Sequence, residues 1–206
     1  MAIEKVFVKE GIKLSNIQTY LAKKFEKAGY SHSEMQRTAV GTKIIVYVNR
    51  PGLVIGRSGR RIGEITEDIK QRFNIDNPMV DVKEVDNKFL DANIVASRIA
   101  DSILRGINYK KAVNFYLERV IEAGAVGILV IAAGKLIGSE RSLTSKFKRG
   151  YIVHSGDYAE TLVDHGHATA KLKAGIVGID VKILRESPKE FEFLTKDKPK
   201  EEQPHV

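Results

Sequence analysis

The chain has 206 residues, 43% hydrophobic and 29% charged, enough for one large core or two small ones and too apolar for a disordered polymer. Lys and Arg outnumber Asp and Glu 34 to 26, and the resulting net charge of +8 favours polyanionic partners. With no cysteine, disulfides and thiolate metal sites are excluded, and a reducing compartment, the cytoplasm, is the expected location. The first ten residues alternate charged and apolar positions without a signal-peptide core. The most apolar run, Ala123–Gly134, falls far short of the ~20 residues of a bilayer span, so no membrane partner is expected. Absence of Trp and an aromatic share of 7% argue against a broad base-stacking surface.

In chain order, Leu14, Ile17, Leu21, Phe25 and Ala28 fall three or four apart and predict a one-faced helix over 14–28, closed by Gly29. A strand is expected over 31–39. Lys43–Val48, β-branched and almost wholly apolar, predicts a strand buried on both faces. Pro51-Gly52 breaks it, Leu53–Ile55 can make one helical turn, and Ile62, Ile65, Ile69 and Phe73 mark the buried stripe of a longer helix. After the Asn77-Pro78 turn comes a strand over 80–85. One mixed domain over residues 1–87 holds these elements.

Asp86-Asn87-Lys88 reads as a link to a second domain, residues 88–187. Asp91 caps a helix with the stripe Ile94, Val95, Ile99, Ile103, Leu104 and Ile107, ending near Gly106. A second helix follows with Val113, Leu117, Val120 and Ile121, closed by Gly124. Strands are expected at Gly127–Ala133, around Leu143–Lys148, at Tyr151–His154 beyond a turn at Arg149-Gly150, from Thr161 to Leu172, and at Ile176–Leu184. The last alternates with a clear period of two. Two helices followed by mostly antiparallel strands give an α+β class. Residues 188–206 are polar, with three prolines, and read as a flexible tail. Both folded parts are basic, with 15 Lys and Arg against 11 Asp and Glu in 1–87 and 15 against 10 in 88–187.

The most specific motif is the Gly-x-x-Gly loop of Gly56, Arg57, Ser58 and Gly59, between a short apolar helix and a long amphipathic one. Two glycines at this spacing let the backbone reverse and leave its amides uncovered, and the next helix adds the positive end of its dipole. Arg50, Arg57, Arg60 and Arg61 flank the loop with no acid until Glu64, which suits a polyphosphate better than a small metabolite. Val54, Ile55 and Ile65 are candidates to line a shallow apolar groove for splayed bases. A plain tight turn packed on protein is the competing interpretation.

The run Asn49-Arg50-Pro51-Gly52-x-Val54-Ile55-Gly56-x-x-Gly59-x-x-Ile62 resembles the KH family, and the leading helix before two strands is similar to its type II arrangement. That resemblance implies an N-terminal type II KH domain, a mixed sheet with helices, whose loop clamps single-stranded RNA backbone. The second domain carries Gly124-Ala125-x-Gly127, Ala133-Gly134-Lys135-Leu136, His154-Ser155-Gly156-Asp157 and Gly175-Ile176-x-Gly178-Ile179-Asp180-Val181-Lys182-Ile183. Together, over about residues 3–185, these resemble the universal S-three family of small-subunit ribosomal proteins in its archaeal and eukaryotic form. The resemblance implies a structural protein in the head of the small subunit, bound to ribosomal RNA beside neighbouring ribosomal proteins. It further implies a place at the entrance through which messenger RNA threads, with Lys110 and Lys111 facing that strand. The bacterial pattern has a further basic residue where this chain has Asn114, so a three-residue basic comb is incomplete here.

Residues 135–149 hold Lys135, Arg141, Lys146, Lys148 and Arg149 against the single acid Glu140, a basic hairpin suited to ribosomal RNA phosphates. No enzyme pattern survives. Gly134-Lys135 fails the P-loop because Leu129 and Leu136 stand where Gly and Ser or Thr are required. His165-Gly166-His167 puts two imidazoles on one strand face, but no further zinc ligands are indicated. His154-Ser155-Gly156-Asp157 reads as a turn rather than a triad. The sequence therefore predicts no catalytic residue, no cofactor and no metal. Alternatives are a free-standing KH regulator and a nucleotide-dependent enzyme.

Overall fold

A computed structural model describes residues 3–38, 41–75, 77–136 and 141–186. The polar segment 188–206, expected to be a tail, lies outside them. The chain divides into two compact units, Met1–Lys88 and Phe89–Val206.

The first unit runs α1 (Ile3–Phe25), β1 (Tyr30–Thr38), β2 (Gly41–Val48), α2 (Pro51–Ile55), α3 (Arg60–Phe73) and β3 (Pro78–Glu84). Its sheet has the order β1-β2-β3, with β1 antiparallel and β3 parallel to β2. A parallel pair needs a crossover, and α2, the glycine loop and α3 form it. Ile17, Leu21 and Phe25 of α1, Ile44, Val46 and Val48 of β2, Val54 of α2 and Ile65 and Ile69 of α3 make the core. Ile45, on the other side of β2, is also buried, so this strand is apolar on both sides. The first helix starts eleven residues before the expected Leu14. No described side chain before Ile17 is buried, and Phe7, Val8 and Ile12 are exposed; Val8 and Ile12 fall on the opposite side of the helix from Ile17 and Leu21 and interrupt the one-faced pattern there. Gly29, with φ 73°, ends the following 3-10 turn.

The second unit runs α4 (Ala92–Leu104), α5 (Tyr109–Glu122), β4 (Gly127–Gly134), β5 (Leu143–Gly150), α6 (Asp157–Thr161), β6 (Val163–Leu172) and β7 (Gly175–Leu184). Its sheet is antiparallel throughout, in the order β5-β4-β7-β6, and α4 and α5 cover one face. With a mixed sheet in one unit and an antiparallel sheet in the other, the class is α+β.

Four details differ from expectation. β5 continues through Arg149-Gly150, because Gly150 pairs with Gly127. Tyr151–His154 is not a strand: Ile152 is buried with Leu129, Val163 and Leu184, so these apolar residues lie over the sheet instead of extending it. Thr161 closes α6 rather than opening a strand. In α4, Leu104 and Ile107 are exposed, because the helix ends at Leu104 and the buried stripe stops at Ile103.

The start of α4 is fixed to β6. Asp91 accepts a hydrogen bond from the Ile94 amide at 3.0 Å, and Asp164 accepts one from the Ala92 amide at 3.0 Å. Here only glycine fits on β6: a Cβ on Gly166 would lie 2.2 Å from the Ala92 carbonyl carbon and oxygen. Gly166→Ala is expected to push α4 off the sheet and cost about 1–3 kcal/mol, lowering Tm by roughly 5–20 °C. A thermal melt followed by circular dichroism checks this, and an unchanged Tm would refute the close approach.

Candidate nucleic-acid interface

The glycine loop is built from backbone conformations that only glycine adopts freely. Gly56 caps α2 with φ 71° and ψ −174°, and Gly59 caps α3 with φ 73° and ψ 5°. The first of these lies in a region essentially closed to L side chains. Arg57, Ser58 and Gly59 form a 3-10 turn between the caps. The Arg60 amide turns back to the Arg57 carbonyl, and no side chain caps the start of α3, so the amides that follow Arg60 are the ones left for an outside acceptor.

Arg50, Arg57, Arg60 and Arg61 are all exposed around this turn. Arg61 also holds the turn together: its Nη1 donates to the Leu53 carbonyl at 2.9 Å, tying α2 to α3. Of the three residues expected to line an apolar groove, Ile55 alone is exposed. Val54 and Ile65 are buried in the core, where the crossover needs them to join helices to sheet. Leu53 and Ile55 are the exposed apolar side chains beside the loop, at 43% and 40% exposure. The sequence shows the apolar run but not which residues the core consumes.

Behind the loop, α3 is anchored to α1. The Tyr20 hydroxyl donates to Asp68 Oδ2 at 2.7 Å, and Lys24 Nζ donates to the same oxygen at 3.2 Å. The hydrogen bond from Tyr20, then that from Lys24, holds the Asp68 carboxyl below the usual range. Burial, and then its bond to Asp68, raises the Tyr20 hydroxyl. A depressed carboxyl contributes stability above its unfolded pKa and loses it as pH falls through the folded pKa. Asp68→Asn is therefore expected to lower Tm at neutral pH, with the difference vanishing as the solution is acidified below about pH 4. Parallel melts from neutral to acid pH test this; a constant gap would show that the carboxylate is not ionically engaged.

In the second unit, Asn108 caps α5 by accepting from the Lys110 amide at 3.0 Å. Lys110 and Lys111 are exposed in the first turn, which contains no acid, and Asn114 is exposed one turn later. Positive charge at a helix start is unfavourable for the free fold and suited to an incoming anion.

The basic segment 135–149 is divided rather than gathered. Lys146 and Lys148 are exposed on the face of β5 opposite α4 and α5. Phe147 points the other way, packing edge-on against Tyr109 at 6.3 Å. Arg149 shares that side and pairs with Glu118 of α5 at 3.4 Å. Lys135 follows β4 with its stem beside Gly175, and Arg141 is exposed just before β5; Glu140 lies outside the described residues. Alternation along β5 separates these charges, as period two requires. His165 and His167 do share one face of β6, but His167 Nδ1 is paired with Asp180. Among the described residues no cluster of three or more His, Asp or Glu could hold a metal, and no helix is long and apolar enough to cross a membrane.

An uncapped glycine loop in a βααβ crossover, ringed by arginines, defines a KH-type RNA-binding module, here followed by a second α+β domain. Comparison agrees for both parts: residues 16–89 match the KH domain family, and residues 99–183 match the family of the ribosomal protein S3 C-terminal domain. The chain is 48% identical to small ribosomal subunit protein uS3 of Methanocaldococcus jannaschii over 183 residues, 89% of this chain and 88% of that one. It is 42% identical to the uS3 of Methanothrix thermoacetophila over 209 aligned residues, covering 100% of this chain and 75% of that protein. The chain belongs to the uS3 family of small ribosomal subunit proteins, a structural and non-enzymatic family.

Proposed function

We propose that this protein is a structural constituent of the small-subunit head in cytoplasmic ribosomes. It binds ribosomal RNA, adjoins other ribosomal proteins and lines the entrance for messenger RNA. The observation that carries this reading is the joint match of both domains in one chain to uS3 relatives. A free-standing KH regulator would have no need of the second domain.

The glycine loop contributes a phosphate clamp: amides at the start of α3 receive backbone oxygens while Arg50, Arg57, Arg60 and Arg61 supply charge. Ser58 serves as the small residue of the turn. Lys110 and Lys111 face messenger RNA, a role supported by their exposure and by the lack of a carboxylate partner among the described residues. With Asn114 in the next turn, any help in opening structured messages comes from two cations. Lys135, Arg141, Lys146, Lys148 and Arg149 hold ribosomal RNA. The test is sedimentation of a tagged copy on a sucrose gradient. Migration with small subunits is expected, and a copy found solely in the free pool would defeat the assignment.

A further inference from the structure

The face of the second sheet opposite α4 and α5 collects cations that are distant in sequence. Strand register places Lys148, Leu129, Lys182 and His165 in one row across β5, β4, β7 and β6. The next row holds Lys146, Ile131, Asp180 and His167, and Lys171 lies further along β6 opposite Ile176. Lys146, Lys148 and Lys171 are exposed and Lys182 is partly so. None of these four has a carboxylate partner among the described residues, and Asp180, the one acid in the two rows, is engaged by His167. Neighbouring strands stand ~4.8 Å apart and same-face residues repeat every ~6.8 Å, so the lysine heads form a grid rather than a line.

We propose that this face docks the phosphate backbone of a paired RNA segment, with Lys171 and Lys182 as binding residues alongside Lys146 and Lys148. The inference rests on the RNA-binding reading above and adds a second surface of different preference. Charge complementarity selects a polyanion. The two rows and their extension to Lys171 hold no Phe, Tyr or Trp; their rings are the imidazoles of His165 and His167, the second tied to Asp180, and Tyr151 beside Leu129 is partly buried. Splayed single-stranded bases need aromatic platforms, whereas a helical RNA is recognised through shape and phosphates. The glycine loop takes single strands, and the sheet face takes a duplex.

The experiment uses the full chain with two probes, a short blunt RNA duplex and a single-stranded oligouridylate. Lys146→Ala/Lys171→Ala/Lys182→Ala is expected to weaken duplex binding about tenfold or more and to flatten its salt dependence, since each lost phosphate contact removes about 0.9 from the log–log slope measured on duplex DNA. Oligouridylate affinity should stay within about twofold. Asp180→Asn, which removes the opposing carboxylate, should tighten duplex binding. All substitutions are at surface positions, and matched circular dichroism spectra confirm folding. Duplex affinity unchanged in the triple variant overturns the inference while leaving the loop's role intact. Equal losses on both probes also overturn it, by reducing the effect to net charge. Wild-type protein that binds neither probe removes the RNA-binding reading itself.

Discussion

Raising monovalent salt from about 50 to 200 mM is expected to weaken binding of the full chain to small-subunit ribosomal RNA about a thousandfold, the loss associated with six or more phosphate contacts. The magnitude follows from how the cations are presented. Arg50, Arg57 and Arg60 at the loop, Lys110 and Lys111 at α5, and Lys146 and Lys148 on β5 are exposed, and no ion pair within the described residues consumes them. Each can displace a condensed counterion, and released counterions are what salt opposes. Arg149 is different, since Glu118 competes for it at 3.4 Å. Filter binding across a salt series measures the slope directly. A flat series would mean that affinity comes from base contacts or apolar burial, and the phosphate-clamp reading would fail.

Replacing Arg57 and Ser58 together by Asp is expected to cut affinity for single-stranded RNA by about ten- to a hundredfold. A charge-assisted hydrogen bond is worth about 1.5–3 kcal/mol, and two carboxylates would add repulsion at the point proposed to receive phosphate. The melt should hardly move, because the Arg57 side chain is exposed and makes no hydrogen bond or ion pair within the described residues. Arg61→Asp provides the contrast: it loses the bond to the Leu53 carbonyl and should lower Tm as well as affinity. Unchanged RNA binding in the double variant would give the loop a structural or protein-facing role.

The loop was legible in sequence because its constraint is local: two glycines at fixed spacing, flanked by helix-forming stripes and arginines, leave few conformations. Ile65 and Ile69 were equally readable, since their helix buries a continuous stripe. Other features depend on what lies across the fold. That Val54 enters the core rather than a groove is decided by the sheet beneath it. That Tyr151–Val153 lies over a sheet instead of joining it is decided by Leu129, Val163 and Leu184, from three different strands. In the early turns of α1, Val8 and Ile12 fall opposite the face of Ile17 and Leu21, and with Phe7 they are exposed, so the one-faced pattern is interrupted there. The grid of lysines needed register. Lys148 and Lys182 are 34 positions apart in sequence and meet across Leu129 only because β5, β4 and β7 are neighbours.

Both α3 and α5 open with two cations and no acid, Arg60 and Arg61 in one and Lys110 and Lys111 in the other. Each such charge opposes the local dipole, a handicap of about 0.3–1 kcal/mol apiece that a docked nucleic acid turns into attraction. An orphan copy is thus softer than an assembled one, since a ligand that prefers the native form always deepens its well. With RNA bound as proposed, proteases that sample transient opening would clear unbound copies first, and the stock of this protein would follow the supply of that RNA.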